Sequence, residues 1–557
     1  MADGGVKQYE SFVSHEDART YQSRGYWSMS ETIPGLLARA VAETPQRLAV
    51  VDDSGRRLTY AELHEQSSRV AAALAARGVG PGDVVGVQLP NRVEASVVSC
   101  AIEKTGAAVC PMVPMYRERE LTYNGNKTAM KAIFVAGTYR DYDHDALALR
   151  VAAAVPTLKT IVTMTPKPGN HQLTSLDDFA NVAGDVSAFD NPKLNPDDVC
   201  AVLFTSGTES DPKGVLHTHN TLIANNRAIA RLLSLGDQDG VFMASPVGHG
   251  TGYGFGIRLA IYLGSTLSLL GAWDPSRAAQ MLTEFGAAYT HGATPFVQDL
   301  LELPGVKTEY DLSRLRYFVS GGATIPAGMW TRVHEILGCQ LLRLYGQTEA
   351  FMTTINRPND AVERLERTDG LAAPGVEIQV RDDEDRVLAP DTPGQGLLKG
   401  PHRCVGFLKD PERARATFTD DGWMRTGDIV SVDSSGYLTV AGRKKEVINR
   451  GGYKYSPREV EDILITHPSV LRVAVVKMPD PRLGEKACAF IVLRAGASLD
   501  LVAVAEFLRA HGIAPFKLPE RVEIVESLPT TPSGKVQKFV LEAQLVQALT
   551  PAASSES

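Results

Sequence analysis

A segment rich in glycine and hydroxyl side chains is the first part of the chain whose composition suggests chemistry. It has the sequence TSGTESDPKG from Thr205 to Gly214 and follows an apolar, strand-like run at 199–204. Backbone N–H groups beside small residues, hydroxyl groups and one lysine can converge on phosphate oxygens. The segment is not a Walker A loop, because Pro212 stands where a glycine must precede the lysine. It predicts a phosphate-binding loop, with a plain surface turn as the alternative.

Five further short motifs follow along the chain, and each combines a turn-forming glycine with a charged or polar side chain. They are SGGA at 320–323, YGQTE at 345–349, RTGD at 425–428, GRKK at 442–445 and PSGK at 532–535. Taken singly, each has an ordinary explanation, such as an exposed turn or a solvated lysine. Their value lies in their order and spacing.

Together these six motifs resemble the signatures of the adenylate-forming superfamily, which contains acyl-CoA ligases, luciferases and peptide-synthetase adenylation domains. The resemblance extends over roughly residues 30–545. Within the superfamily, the chain resembles the branch of alicyclic and aromatic acid–CoA ligases. It implies an AMP-forming acid–thiol ligase that makes an acyl-CoA through an acyl-adenylate. The implied cofactors are ATP, Mg²⁺ and coenzyme A, and the implied partner is a small carboxylic acid.

The resemblance also implies a role for individual residues. Lys535 is the expected adenylation lysine and Lys445 the expected hinge, while Glu349 is the Mg²⁺-associated acid and Thr348 a contact of the α-phosphate. Asp428 is expected to accept hydrogen bonds from the ribose hydroxyls. The full set of expected nucleotide and CoA contacts is Thr205, Ser206, Gly207, Thr208, Lys213, Gly321, Gly322, Ala323, Tyr345, Gly346, Asp428, Arg443, Gly451 and Gly452.

The acid pocket is expected around the segment SPVGHGTGYGFG, in which His249 is the candidate gate. Glycines alternate there from Gly248 to Gly256, and missing side chains in a wall would leave room for a bulky cyclic or polycyclic acid. The alternative is a mobile loop without bearing on the substrate. The expected pocket residues are His249, Gly250, Gly252, Gly254, Gly292, Ala293, Thr294 and Pro295.

One departure from the family pattern lies in the first loop. Glu209 and Ser210 stand where most relatives have Ser or Thr followed by Gly, and a carboxylate facing the β- and γ-phosphates is repulsive by roughly 1 to 4 kcal/mol at about 4 Å. An enzyme that only thioesterifies a supplied adenylate, with weak or absent adenylation, is therefore one alternative. A freestanding adenylation enzyme that loads a carrier protein is another.

The elements that must position these residues follow an α/β pattern. Strand-like runs such as RLAVVD and VVGVQL alternate with amphipathic helical stretches, which is typical of largely parallel sheets. The resemblance implies a large N-terminal domain at 1–442, with αβ layers and a β-barrel-like part. It further implies a small, mobile α+β C-terminal domain at 443–557 that rotates about a hinge near Lys445.

Composition limits the partners and the location of the protein. The net charge of -8 gives no general attraction to nucleic acid, and the longest near-apolar run, at 259–273, is too short to span a bilayer. The six cysteines form no CxxC pair, so we expect a reduced, cytoplasmic protein without an integral membrane segment. The sequence leaves open whether the protein is a homodimer.

Overall fold

A computed structural model describes residues 6, 9–165, 173–181, 185–205, 212–321, 325–326, 328–531 and 535–549. Within these residues the first large sheet has nine strands, six of them parallel in its centre. Their spatial order is Leu371–Ala372, Thr354–Ile355, Gln340–Tyr345, Tyr317–Gly321, Ala287–Gly292, Gly240–Met243, Leu267–Leu269, Leu48–Asp52 and Arg57–Thr59. The antiparallel strands lie at its two edges.

A second large sheet lies beside the first and has eight strands in the described part of the chain. Their order is Gly406–Phe407, Lys213–Thr218, Val199–Thr205, Ala108–Pro111, Val84–Gln88, Ala132–Val135, Thr160–Thr163 and Thr174–Ser175. The helix Val93–Lys104 contacts strands of both sheets, and all of its residues are buried. Strands such as Val84–Gln88 are buried at every position, as expected of parallel sheets covered on both faces.

Helices surround and connect these sheets, and several begin with a side-chain cap. Thr59 and Glu62 form a capping box at the start of Tyr60–Ala75. The other helices of the large domain are His15–Ser23, Ile33–Glu43, Glu118–Thr128, His144–Ala154, Leu176–Ala180, His219–Leu232, Leu259–Leu263, Pro275–Phe285, Thr294–Leu301, Val306–Glu309, Met329–Leu337, Val362–Arg367 and Pro411–Thr417, with a π-helix at Thr251–Arg258 and a 3₁₀ turn at Ser187–Phe189. A short hairpin joins Thr138–Tyr139 to Tyr142–Asp143.

The part expected to be barrel-like is an antiparallel sheet with four strands among the described residues. Its strands are Glu377–Arg381, Gly394–Lys399, Met424–Val432 and Leu438–Arg443, paired in that order. The sheet presents Asp428 opposite Arg443 on neighbouring strands.

The C-terminal part forms its own small α+β unit. Its sheet has the strands Tyr453–Tyr455, Ile448–Arg450, Gly484–Leu493, Val470–Asp480 and Arg521–Ile524, and its helices are Arg458–Leu464, Leu501–Ala510 and Lys538–Leu549, with 3₁₀ turns at Lys444–Glu446 and Pro515–Lys517. A separate apolar core within 448–518 holds this unit together. The expected fold class is thus confirmed, whereas the boundary at residues 442–443 stays a prediction.

Two further features concern membrane-spanning helices and disulfide bonds. None of the described helices is both long and apolar enough to cross a bilayer. All six cysteines are buried and free of disulfides.

Candidate active site

The candidate site lies where three parallel strands of the first sheet end. The strands that end at Gly292, Gly321 and Tyr345 are direct neighbours, with Gly292 paired to Ser320 and Gly321 to Leu344. Ligands of open α/β sheets bind beyond the carboxyl ends of the strands. A Cβ atom at Gly321 would stand 2.6 Å from the carbonyl oxygen of Leu344, so this position needs a glycine.

The loop after Tyr345 brings Thr348 and Glu349 to this edge. The Nε2 of His217 lies 2.8 Å from the carbonyl oxygen of Thr348, which can only accept, so Nε2 carries the proton. Glu349 is 5% exposed and forms an ion pair with Lys213 from the second sheet. The two residues expected to bind metal and phosphate therefore neutralise each other here. At Gly346 a Cβ atom would meet the carbonyl oxygen of Phe351 at 1.6 Å, so the loop requires a glycine there.

Asp428 connects the four-stranded sheet to the same edge. Its carboxylate accepts a hydrogen bond from the hydroxyl of Tyr345 at 2.6 Å and lies 3.2 Å from Nε of Arg443. Burial raises the pKa of Asp428, and the positive charge of Arg443 opposes that rise. Burial and the adjacent carboxylate raise the pKa of Tyr345, so its hydroxyl stays a donor. Tyr345, Asp428 and Arg443 thus form one hydrogen-bonded, charged group.

Lys535 brings a cation from the small domain to this group. Its N–H donates to Oγ1 of Thr531 at 3.1 Å, and the N–H of Thr531 donates back to the Lys535 carbonyl at 2.7 Å. The Lys535 side chain keeps access to solvent, but the surrounding protein lowers its pKa by desolvation. The positive charge of Arg443 acts in the same direction, while the carboxylates of Asp428 and Glu349 oppose it. Lys535 therefore lies within electrostatic reach of all three.

His249 lies just before the π-helix and is a neutral imidazole at physiological pH. Its Nδ1 accepts from the N–H of Thr251 at 3.2 Å. Burial, and secondarily the charge of Lys535, lowers the pKa of His249 to about 4. A second imidazole, His291, has its pKa lowered to about 3 by burial and then by His249. His217, whose pKa burial also lowers to about 4, is uncharged as well, so none of these three described histidines is a cation that could pair with a substrate carboxylate.

The structure contradicts the expectation that the alternating glycines leave open volume or form a mobile loop. Gly252, Gly254 and Gly256 are part of the π-helix Thr251–Arg258. An added Cβ would stand 2.3 Å from the Met112 oxygen at Gly248, 2.3 Å from the Pro246 oxygen at Gly252, 2.3 Å from Cε1 of Phe351 at Gly254 and 3.0 Å from Cγ of Met243 at Gly256. At Gly250 the nearest atom is Cε1 of Phe351, at 3.7 Å. Gly248, Gly252, Gly254 and Gly256 permit close packing, because neighbouring atoms already fill the space of the missing side chains, whereas Gly250 has room for a Cβ atom.

The second expected wall is well packed. The Phe296 ring would lie 2.7 Å from a Cβ at Gly292 and stacks on Trp273 at 4.3 Å. Ala293 precedes the helix Thr294–Leu301, which has Pro295 in its first turn. The Thr294 hydroxyl lies 3.4 Å from that of Ser320.

The remaining expected residues of the small domain lie in two turns. Lys445 is in the 3₁₀ turn Lys444–Glu446 that follows the strand ending at Arg443. Gly451 and Gly452 form the turn of a hairpin and have φ values of +59° and +95°, which favour glycine. The N–H groups of Gly451 and Gly452 donate to the Leu483 carbonyl at 2.8 Å and to Oδ1 of Asn449 at 3.1 Å.

Part of the first loop and of the SGGA motif lies outside the described residues. Thr205 and Lys213 are described and face each other across two paired strands. The expected contacts that lie outside are Ser206, Gly207, Thr208, Gly322 and Ala323, together with Glu209 and Ser210. Their roles stay predictions.

Three side chains at this edge were not singled out from the sequence. They are His217, His291 and Phe351, and all are buried. His291 directly precedes Gly292 and Phe351 follows Glu349 by two residues. Each could therefore have been found by its proximity to an expected site residue. His217 had only its position after the first loop.

Comparisons with known proteins identify relatives of this chain. The family model described as AMP-binding enzyme matches residues 37–408, and the model of the AMP-binding enzyme C-terminal domain matches residues 459–535. A medium-chain fatty-acid–CoA ligase of Escherichia coli (strain K12) is 36% identical over 95% of this chain and 93% of its own. A 2-hydroxy-7-methoxy-5-methyl-1-naphthoate–CoA ligase of Streptomyces carzinostaticus is 33% identical over 94% of this chain and 95% of its own.

A solved structure also has this fold. The ATP-bound crystal structure of MatB from Rhodopseudomonas palustris superposes with a TM-score of 0.84 at 29% identity, over 93% of this chain and all of that one (100%). The resemblance inferred from the six motifs is thereby confirmed. Because the two family models match most of its length, the chain belongs to the AMP-binding enzyme family of AMP-forming acid ligases.

Proposed function

We propose that this protein is an acid–CoA ligase that converts an apolar carboxylic acid to its acyl-CoA through an acyl-adenylate, with ATP as co-substrate. The observation that carries the proposal is the convergence of Lys213, Lys535 and Arg443 with two buried carboxylates at the carboxyl ends of the parallel strands. The CoA ligases among the relatives support coenzyme A as the acceptor.

The first half-reaction brings an anion onto a polyanion. A carboxylate oxygen of the acid bonds to the α-phosphorus of ATP, and the bond from that phosphorus to the pyrophosphate oxygen breaks. The product is a mixed anhydride, and pyrophosphate leaves with the electron pair. Cations at the reacting oxygens stabilise this transition state. Lys535 is the proposed bridge between the carboxylate and the α-phosphate, and Asp428 the proposed acceptor for the ribose hydroxyls.

The residues present fit a magnesium ion beside Glu349. This carboxylate is buried and already has one positively charged partner, the ammonium group of Lys213, so its position suits a cation. Magnesium is commonly held by one or two carboxylates and the phosphates of a nucleotide. When bound, the ion would neutralise charge on the phosphates, while Thr348 would contact the α-phosphate.

The second half-reaction needs a thiol at the acyl carbon. The sulfur of CoA bonds to that carbon as its proton is lost to solvent, the bond to the AMP oxygen breaks, and AMP leaves. We propose that the small domain, 443–557, rotates about Lys445 relative to 1–442 between the two steps. Gly451 and Gly452 would then line the path of the pantetheine arm, where a side chain would obstruct it.

The acid itself is proposed to be apolar and of intermediate size. The alternating glycines at 248–256 do not support a polycyclic acid, because neighbouring atoms occupy the space of the missing side chains at four of the five. Phe255 and Phe351 have ring centroids 5.8 Å apart and both are buried, so they give the surroundings of the π-helix Thr251–Arg258 an aromatic character. Medium-length chains and one- or two-ring acids are the proposed range, in line with the fatty-acid and naphthoate ligases among the relatives.

The test is a product assay with ATP, Mg²⁺ and a panel of acids from butanoate to dodecanoate, together with cyclohexanecarboxylate and 1-naphthoate. We expect pyrophosphate, AMP and acyl-CoA in equal amounts when free CoA is present. Transfer to an acyl carrier protein but not to CoA would favour the freestanding adenylation alternative. Acyl-CoA formation from supplied acyl-adenylate without pyrophosphate release from any acid would favour a thioesterification-only enzyme.

A further inference from the structure

The π-helix Thr251–Arg258 is held by a buried carboxylate from the helix between the two sheets. Glu103 accepts a hydrogen bond from the Tyr253 hydroxyl at 2.9 Å through Oε1, and from Nη1 of Arg258 at 2.5 Å through Oε2. The side chains of Glu103 and Arg258 have no solvent exposure, so this is a fixed internal contact.

The spacing of these two partners fits a π-turn and not an α-turn. Tyr253 and Arg258 are five residues apart, and a π-helix closes its hydrogen bonds between such residues, which places them one turn apart on one side. In an α-helix with 3.6 residues per turn they would be rotated by about 140° from each other. Glu103 could not then bind both in this way. The carboxylate therefore stabilises the π-turn that contains Gly254.

Phe351 occupies the surface that this turn presents. Its Cε1, Cδ1 and Cζ atoms would lie 2.3, 2.9 and 3.1 Å from a Cβ atom at Gly254. The ring also contacts His217, with centroids 4.8 Å apart, and Phe255, at 5.8 Å. The backbone of Phe351 has a φ of +49°, which is uncommon for a bulky residue and is retained only where the surroundings enforce it.

Phe351 is also connected to the reacting groups. It follows Glu349 by two residues, and its N–H donates to the Gln347 carbonyl at 2.7 Å. The imidazole that touches its ring, His217, binds the carbonyl of Thr348. The Phe351 ring thus lies between His217, next to the proposed α-phosphate contact Thr348, and Phe255. The ring of Phe255 in turn lies 4.5 Å from that of His291.

We propose that Phe351, seated on Gly254 of the π-turn that Glu103 holds, is the wall that sets the size limit for the acid. The proposal rests on the acid–CoA ligase function proposed above and adds a specificity-determining residue and its support. Removing the Phe351 ring opens volume beside Phe255. Adding a methyl group at Gly254 forces the ring away from the π-turn, so that it takes up space that the acid would use.

The experiment compares kcat/KM for the acid panel in wild type, Phe351→Ala, Gly254→Ala and the double variant. In Phe351→Ala the ratio of the largest accepted acid to the smallest should rise by about tenfold or more, since one methylene in an apolar pocket is worth about 10- to 200-fold. In Gly254→Ala the same ratio should fall. The Gly254→Ala effect should vanish in the Phe351→Ala background, because the atom that it displaces is absent.

The support is tested with Tyr253→Phe, which removes one hydrogen bond to Glu103 and keeps the ring. We expect the acid ratio to change while the KM for ATP does not. Tyr139→Phe is the matched control, because it removes another partly buried hydroxyl contact, to the Gly271 carbonyl at 2.9 Å. A purely structural effect would change kcat/KM for every acid by one common factor in both variants.

Each outcome separates the two proposals. If wild type forms no adenylate from any acid, the ligase function fails. If wild type is active but Phe351→Ala leaves the acid ratio unchanged, the wall is refuted and the ligase function stands. Should Phe351→Ala fail to fold, as judged by its melting temperature, Phe351→Leu removes less volume and must shift the ratio in the same direction.

Discussion

Replacing Lys535 by alanine should separate the two half-reactions. The substitution removes a small-domain cation that lies within electrostatic reach of Asp428, Glu349 and Arg443. We expect adenylate formation to collapse, because the carboxylate and α-phosphate then approach without that charge. Transfer of the acyl group from supplied acyl-adenylate to CoA should continue, since Lys535 is proposed to act in only one domain orientation.

The size of the loss can be estimated from the surroundings of the lysine. A unit charge about 4 Å from the reacting oxygens contributes about 4 kcal/mol at an effective dielectric constant of about 20. That corresponds to about 10³-fold in rate. Lys535 keeps solvent access, and the carboxylates of Asp428 and Glu349 already offset part of its charge, so screening reduces the effect. The expected loss in adenylation is therefore about 10²- to 10³-fold.

The assay measures pyrophosphate release from ATP and acid, and separately acyl-CoA formation from synthetic acyl-adenylate. Lys307→Ala, which removes an exposed lysine on the short helix Val306–Glu309, is the control and should change neither rate. Because the charged ammonium is the active form, adenylation in wild type should fall as pH rises through the lowered pKa of Lys535. Lys535→Arg should move that decline to higher pH. Equal loss of both half-reactions in Lys535→Ala would refute the reasoning.

Three further substitutions test the remaining assignments. Lys445→Pro should preserve adenylation and abolish CoA transfer, because proline fixes φ where a hinge must change it; a normal rate of acyl-CoA formation would exclude this hinge. Asp428→Asn should raise the KM for ATP by about tenfold, since hydrogen bonds to a charged acceptor are stronger by about 1.5 kcal/mol than neutral ones, and an unchanged KM would remove Asp428 from the ribose site. Glu209→Thr combined with Ser210→Gly should raise pyrophosphate release without changing CoA transfer from supplied adenylate; a wild type that adenylates briskly, with no gain in the double variant, contradicts the repulsion argument.

The sequence alone determined the family, the fold class and the set of candidate residues. Each motif is local, because a glycine that permits a turn stands beside the charged or hydroxyl side chain that the turn presents. Such information is contained in a few consecutive residues, and six motifs in order fix the family. Asp428 with Arg443 and Glu349 with Lys213 were expected at one nucleotide site, and the structure brings each pair into contact.

The tertiary structure decided what the glycines of 248–256 mean. A missing side chain shows where space could exist, but the atoms that fill it come from elsewhere in the chain. Phe351 fills the space at Gly254, and the Met112 backbone fills that at Gly248. The same holds for Glu103, an acidic residue in a fully buried helix, whose two partners in the π-turn became visible only when the helix was packed between the sheets. Pocket size depends on such long-range packing, so it could not be read from local sequence.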